Sequence, residues 1–135
     1  MKSIIATFFT IIIAVVLMAM MSKYQEKSKP WDIPTKFKQM QNTVKPSDAS
    51  IKEGYEIYKK NCMVCHGKTG MGDGVKAKNL ETFPGNLTSS EFQSQPDGYI
   101  FYESKIGRNE MPKYEGKLED SEIWNVINYI RTLKK

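Results

Sequence analysis

Apolar and polar residues are distributed very unevenly along this chain. Residues 3–22, SIIATFFTIIIAVVLMAMMS, carry no charge and are nearly all apolar. A helix needs about 20 such residues to cross the core of a bilayer. A cleaved signal peptide has a shorter apolar centre and a small-x-small exit, whereas the exit region LMAMMSK offers Ala19 without a second small residue two places away. We therefore expect residues 1–22 to be an N-terminal membrane anchor or uncleaved signal, forming a transmembrane helix.

The next segment, residues 23–46, is polar and reads as a linker. Three prolines interrupt it: Pro30, Pro34 and Pro46. A helix is disfavoured over KPWDIP (29–34), because proline lies on both sides of Trp31. Three positions remain open for this tryptophan: at the lipid headgroups, against a partner, or covering the following domain.

Residues 47–135 show helical periodicity and no strand alternation. SIKE predicts a capping box, with Ser50 as N-cap and Glu53 three residues on, and the apolar residues that follow lie on one helical face down to Cys62. A short helix is predicted around 96–107. A final helix is predicted from Asp120 or Ser121 to the end, with a stripe of isoleucines beside a tryptophan. We expect a small all-α domain.

Charge is concentrated near the predicted anchor. Residues 1–45 carry seven Lys against two acidic residues, whereas residues 46–135 carry thirteen basic and thirteen acidic side chains. The domain is therefore neutral, which argues against nucleic acid as a partner. The lysines of the linker either remain solvated or contact anionic lipid or a partner subunit. Counted by the positive-inside rule, they would place the linker in the cytoplasm.

The stretch NCMVCHG (61–67) holds both cysteines and the only histidine of the chain. Structural zinc usually takes four ligands in two separated pairs, and no second pair exists here. A redox Cys-x-x-Cys pair usually follows a strand in a βαβ unit, a pattern that is missing. The third candidate is a covalent haem, because Cys-x-x-Cys-His is its c-type attachment signal. On one helical turn Cys62, Cys65 and His66 project from the same face.

Methionine is a usual second axial ligand of a haem that transfers electrons. Met63 lies inside the motif on the wrong side of its helix, and Met71 follows His66 too closely to reach the opposite haem face. Met111 lies 45 residues beyond the histidine in GRNEMPKY, a polar loop that Pro112 stiffens. We therefore predict His66 and Met111 as the ligands of the iron.

With these features residues 47–135 resemble a class I cytochrome c, closest to the bacterial monohaem domains found in oxidase subunits. The resemblance implies that Gly54 and Tyr58 pack against an aromatic residue of the last helix, here Tyr129, and that a proline carbonyl accepts the other N–H of the histidine. Pro84, in FPGNL, matches that proline after a longer loop than in the mitochondrial proteins. Arg108 is a candidate partner for the haem propionates, with a solvated side chain as the alternative.

The function implied is one-electron transfer by a single haem c, by a carrier or respiratory-complex subunit that takes no small-molecule substrate and is not itself an enzyme. The alternative is a haem sensor or peroxidase-like enzyme with a labile sixth ligand. Bacterial members of the family attach haem outside the cytoplasmic membrane. We give this family property more weight than the positive-inside count of the linker lysines. We therefore expect a single-pass protein with a periplasmic haem domain and redox protein partners.

Overall fold

The computed structural model of the protein describes residues 30–135. Six α-helices lie in this range: α1 Thr35–Lys38, α2 Asp48–Asn61, α3 Met63–His66, α4 Ser90–Gln93, α5 Asp97–Ile106 and α6 Asp120–Arg131. A 3₁₀ turn, Ala77–Asn79, lies between α3 and α4. The same residues form only two isolated β-bridges, so the all-α prediction is confirmed. Among them no helix is long and apolar enough to cross a membrane, and the anchor predicted at 1–22 lies outside the described residues.

Helix α2 begins earlier than the sequence predicted. Its N-cap is Ser47, whose hydroxyl accepts a bond from the Ser50 N–H at 3.2 Å, while the Ser50 hydroxyl accepts from the Ser47 N–H at 2.9 Å. The predicted capping box of Ser50 and Glu53 is therefore wrong. Ser50 is buried inside the helix, and two serines three residues apart satisfy the same two backbone donors that a Ser–Glu pair would.

One part of the core is the crossing of α2 with α6. At Gly54 the two backbones come so close that a Cβ atom would overlap the carbonyl oxygen of Asn125. Beside this contact the rings of Tyr58 and Tyr129 lie 5.1 Å apart, which is the pairing that the resemblance implied. Because α2 ends one residue before Cys62, this crossing fixes where the cysteine motif begins.

Helix α6 also closes a second part of the core against α5. Trp124 stacks on Phe101 with a centroid distance of 4.2 Å, and Ile123 and Ile127 are almost completely buried beside them. Helix α6 ends at Arg131, four residues before the end of the chain. The guanidinium of Arg131 donates to the Asp97 carboxylate and to the carbonyl oxygens of two residues just before α5.

Residues 30–44, which the sequence placed in a linker, pack on the domain; we call them the strap. Ile33 and Phe37 are buried in the main hydrophobic cluster, and the strap contains the short helix α1. The Asn42 side chain donates to the Asn128 side chain at 2.8 Å. The prolines prevent a long helix, as predicted, but an extended segment buries apolar side chains equally well.

Replacing Gly54 with alanine tests the helix crossing. In an open helix this change stabilises by roughly 0.5–1 kcal/mol. Here the added methyl meets backbone, and overpacking of this kind lowers the free energy of unfolding by about 1–3 kcal/mol. Urea unfolding of the haem-loaded protein measures the effect, with Glu53→Ala at the neighbouring exposed position as the control. A Gly54→Ala protein as stable as the wild type would contradict the close crossing.

Candidate haem site

The three motif residues lie on one turn. Cys62 is both the C-cap of α2 and the N-cap of α3, and its carbonyl oxygen accepts from the N–H groups of Cys65 at 3.2 Å and of His66 at 2.9 Å. Both cysteines are free. The motif therefore has the helical geometry that places its two thiols and its imidazole on the same side.

The glycine-rich loop after the motif folds back beneath it. Gly67 ends α3 with a φ of +83°, a conformation that favours glycine. Its carbonyl oxygen accepts a 2.7 Å bond from the hydroxyl of the fully buried Tyr58. Further on, the Gly74 N–H donates to the Cys65 carbonyl oxygen at 3.1 Å. A Cβ atom at Gly74 would overlap the backbone of Val64 and Cys65, so the loop supports the motif by direct backbone contact.

Met111 lies in a tight turn between α5 and α6. The backbones of Arg108 and Met111 exchange two hydrogen bonds of 3.0 and 2.9 Å, which closes a turn of four residues. Asn109 has a φ of +52°, in the left-handed region that asparagine tolerates better than most residues. Gly107 precedes the turn with a φ of +66°, and a Cβ atom there would press on the carbonyl oxygen of Met111. The sequence GRNEMP therefore favours a tight, hydrogen-bonded turn.

These elements surround a cavity of about 320 Å³, a size within the range of small-molecule sites. The structure brings all six predicted site residues to its wall: Cys62, Cys65, His66, Pro84, Arg108 and Met111. Apolar side chains fill much of the remaining wall, among them Val64, Leu80 and Phe83. A flat apolar group with a polar edge fits this lining.

The imidazole of His66 is partly buried, and its Nδ1 atom is enclosed by the protein. Its Nδ1 atom has no hydrogen-bond partner, so the expected bond to the Pro84 carbonyl oxygen is not formed in this structure, although both residues line the cavity. Burial lowers the pKa of His66 to about 4, which keeps the ring neutral, as a metal ligand must be. Burial, with the nearby Cys65, raises the pKa of Cys62 to about 12. An imidazole with an unpartnered Nδ1 atom beside two free cysteines fits a c-type haem.

Arg108 lies at the cavity wall, partly exposed, and contacts two residues of the strap. Its guanidinium lies over the Trp31 ring, 4.1 Å from the centroid, and donates to the Pro30 carbonyl oxygen at 3.3 Å. Burial raises the pKa of Glu103 to about 7, an effect that the positive charge of Arg108 opposes. Trp31 thus covers the domain, one of the three positions that the sequence left open.

Sequence reasoning missed three further residues of the site. Trp31 and Tyr114 line the cavity, and the Tyr114 hydroxyl donates to the Asn61 carbonyl oxygen at 2.7 Å, which ties the methionine turn to the end of α2. The Glu110 carboxylate accepts from the backbone N–H groups of Glu81 and Thr82 at 2.9 and 3.1 Å. The proximity of Glu110 and Tyr114 to Met111 in sequence was an available signal. Nothing local pointed to Trp31.

The competing kinds of site find no support in the described part of the chain. Residues 30–135 contain no cluster of three or more His, Cys, Asp or Glu placed to hold a metal ion, and no strand precedes the motif. A helical domain that presents a Cys-x-x-Cys-His turn and a methionine turn to one largely apolar cavity defines the class of c-type cytochromes.

The family assignment agrees. Residues 49–130 match the family described as "Cytochrome C oxidase, cbb3-type, subunit III", and the chain belongs to that family. It is a class I c-type cytochrome. It carries a covalent haem c, for which Cys62 and Cys65 supply the attachment motif, and it functions in haem-based electron transfer.

Individual relatives cover the same region. A cytochrome c6 of Bumilleriopsis filiformis is 31% identical over 91 residues, covering 61% of this chain and 90% of the relative. One from Diacronema lutheri is 34% identical over 86 residues, covering 59% and 92%. One from a Synechococcus species is 30% identical over 90 residues, covering 61% and 69%. The similarity therefore concerns the haem domain.

A solved structure shares the fold. A chain of the reducing HAO-like protein complex of Kuenenia stuttgartiensis superposes with a TM-score of 0.63 and 26% identity, covering 84% of this chain. The match spans 53% of that longer chain, about half its length. The likeness therefore extends to part of a chain that belongs to a protein complex.

Replacing Glu110 with glutamine tests the link between the methionine turn and residues 81–82. The amide keeps one acceptor oxygen and turns a donor toward the backbone N–H groups. Loss of about 1 kcal/mol of bonding would speed amide hydrogen exchange at Glu81 and Thr82 roughly fivefold. Glu53→Gln is the matched control, since Glu53 is exposed on α2 and the described residues offer its carboxylate no hydrogen bond. Unchanged exchange at both amides would show that the carboxylate does not hold this loop.

Proposed function

We propose that His66 and Met111 are the axial ligands of the haem iron and that the protein is a one-electron carrier rather than an enzyme. One observation carries the proposal: the methionine turn and the cysteine motif, 45 residues apart in sequence, form walls of the same cavity. The haem, once attached, supplies the change between ferric and ferrous iron. A ligand on each face leaves no position for a substrate.

The rest of the chain has three tasks in this proposal. The aromatic and aliphatic wall excludes water, which favours the ferrous state, because that state carries less charge at the iron. The Pro84 carbonyl is the proposed acceptor for the His66 Nδ1–H that lacks a partner, a bond that would hold the ring and raise its basicity. Arg108 places a positive charge at the cavity wall, where it would pair with a carboxylate of the cofactor.

Replacing Met111 with alanine tests the ligand assignment. Removal of the thioether should lower the reduction potential and let cyanide bind the ferric protein and carbon monoxide the ferrous protein. Potentiometric titration and absorption spectra measure both effects. Met71→Ala is the control, because Met71 is 42% exposed in the glycine loop. Potential and spectrum unchanged in Met111→Ala would refute the assignment, and rapid carbon monoxide binding by the wild type would favour a sensor or peroxidase-like enzyme.

We also propose that residues 1–22 anchor the haem domain on the periplasmic side of a bacterial cytoplasmic membrane. Because the strap packs on the domain from residue 30, only residues 23–29 separate it from the apolar segment. Seven residues span at most roughly 25 Å. A tether this short favours a fixed redox partner in or on the membrane, such as another subunit of a respiratory complex, because it keeps the effective concentration of that partner high.

Exchanging residues 1–22 for a cleavable signal peptide tests the anchor. The full chain should remain with the membranes after an alkaline wash, whereas the exchanged protein should appear, with haem attached, in the soluble periplasmic fraction. The haem stain in each fraction reports both location and export, since attachment occurs outside the membrane. Recovery of the unaltered chain in the soluble fraction would contradict the anchor.

A further inference from the structure

The strap reaches the haem cavity at only one side chain, that of Trp31. Its ring forms part of the cavity wall and lies 4.1 Å below the Arg108 guanidinium. The carbonyl oxygen of Pro30 accepts a bond from the same guanidinium. Two neighbouring residues of the strap therefore hold Arg108, the only arginine of the cavity wall. The Trp31 ring lies against the face of the guanidinium, and the Pro30 carbonyl oxygen accepts a bond from its edge.

Trp31 is itself held in place by aromatic residues of the domain and the strap. Its ring meets the Tyr102 ring edge-on at 6.3 Å, and Tyr102 contacts the Phe37 ring at 4.8 Å. Phe37 is buried in the main cluster. The indole therefore stands on a chain of aromatic contacts that ends in the core, and these contacts hold its orientation.

An arginine at the rim of an apolar cavity would otherwise turn into water. Stacking on an indole keeps its charge at the wall, since the ring face attracts the cation and the apolar contact replaces only weakly bound water. A positive charge held near the iron stabilises the ferrous state relative to the ferric, which carries one more positive charge. The strength of this effect depends on where the guanidinium is held.

We infer that Trp31 is a positioning residue of the haem site: it holds Arg108 at the cavity wall, so that the strap sets part of the reduction potential. Trp31 lies outside the region 49–130 that matches the family, whereas Arg108 lies inside it. The inference rests on the proposed role of Arg108 at the haem, but not on Met111 as ligand.

A double-mutant cycle in the full-length, haem-loaded protein tests it, with the midpoint potential as the readout. Trp31→Leu keeps an apolar side chain but removes the ring face, and Arg108→Gln removes the charge. Each single variant should have a lower potential than the wild type. In the Arg108→Gln background the Trp31→Leu change should shift the potential much less, since its effect operates through the missing charge.

Lys36 and Phe37 provide the matched control on the same strap. The Lys36 ammonium lies 4.9 Å from the Phe37 centroid, and neither residue lines the cavity. Lys36→Gln removes one positive charge and one cation–aromatic contact, as Arg108→Gln does. Its potential should stay close to that of the wild type.

Equal shifts from Trp31→Leu in both backgrounds would overturn the inference and leave Trp31 as an independent apolar cover. If Trp31→Leu left the midpoint potential unchanged in both backgrounds, the strap would have no influence on the haem site. Should Trp31→Leu fail to incorporate haem, Trp31→Phe keeps a smaller ring, and the same cycle applies with a smaller coupling. Near-infrared spectra of each variant report the sulfur ligand separately, so failure of the proposed ligation is distinguishable from failure of this inference.

Discussion

The haem site depends on the crossing of two helices at one glycine. Because Gly54 has no side chain, α2 approaches the backbone of α6 directly, and the end of α2 is then fixed on the domain. Cys62 begins there. The hydroxyl of Tyr58, buried at the same crossing, reaches the Gly67 carbonyl oxygen on the far side of the motif. A packing contact outside the cavity therefore determines where the thiols and imidazole lie.

The methionine turn is built by local backbone conformation and not by core packing. Positive φ angles at Gly107 and Asn109 close the turn that carries Met111, and Glu110 and Tyr114 attach this turn to two other segments. A cavity with one wall on the core and one on a braced surface turn can keep its shape through a change of iron charge. A site whose shape changes little between the two charge states of the iron suits rapid electron transfer.

The sequence was most informative where chemistry restricts the choice of residue. A single histidine and a single cysteine pair left few alternatives, and the structure places Met111 at the same cavity. It was least informative about long-range packing. Trp31 lies in a proline-rich segment with no helical period, and its contact with Arg108 joins residues 77 positions apart, which no local pattern encodes. The capping box was misplaced for a smaller reason, since Ser47 and Ser50 form it without an acidic residue.

The most direct test of the account is the near-infrared magnetic circular dichroism of the ferric wild-type protein at neutral pH. The position of the ligand-to-iron charge-transfer band distinguishes a thioether from nitrogen or oxygen opposite an imidazole. The account predicts a low-spin haem with histidine and methionine ligation, and loss of that signature on substitution of Met111 alone. A high-spin spectrum, or a low-spin spectrum with nitrogen or oxygen in place of sulfur, would contradict it.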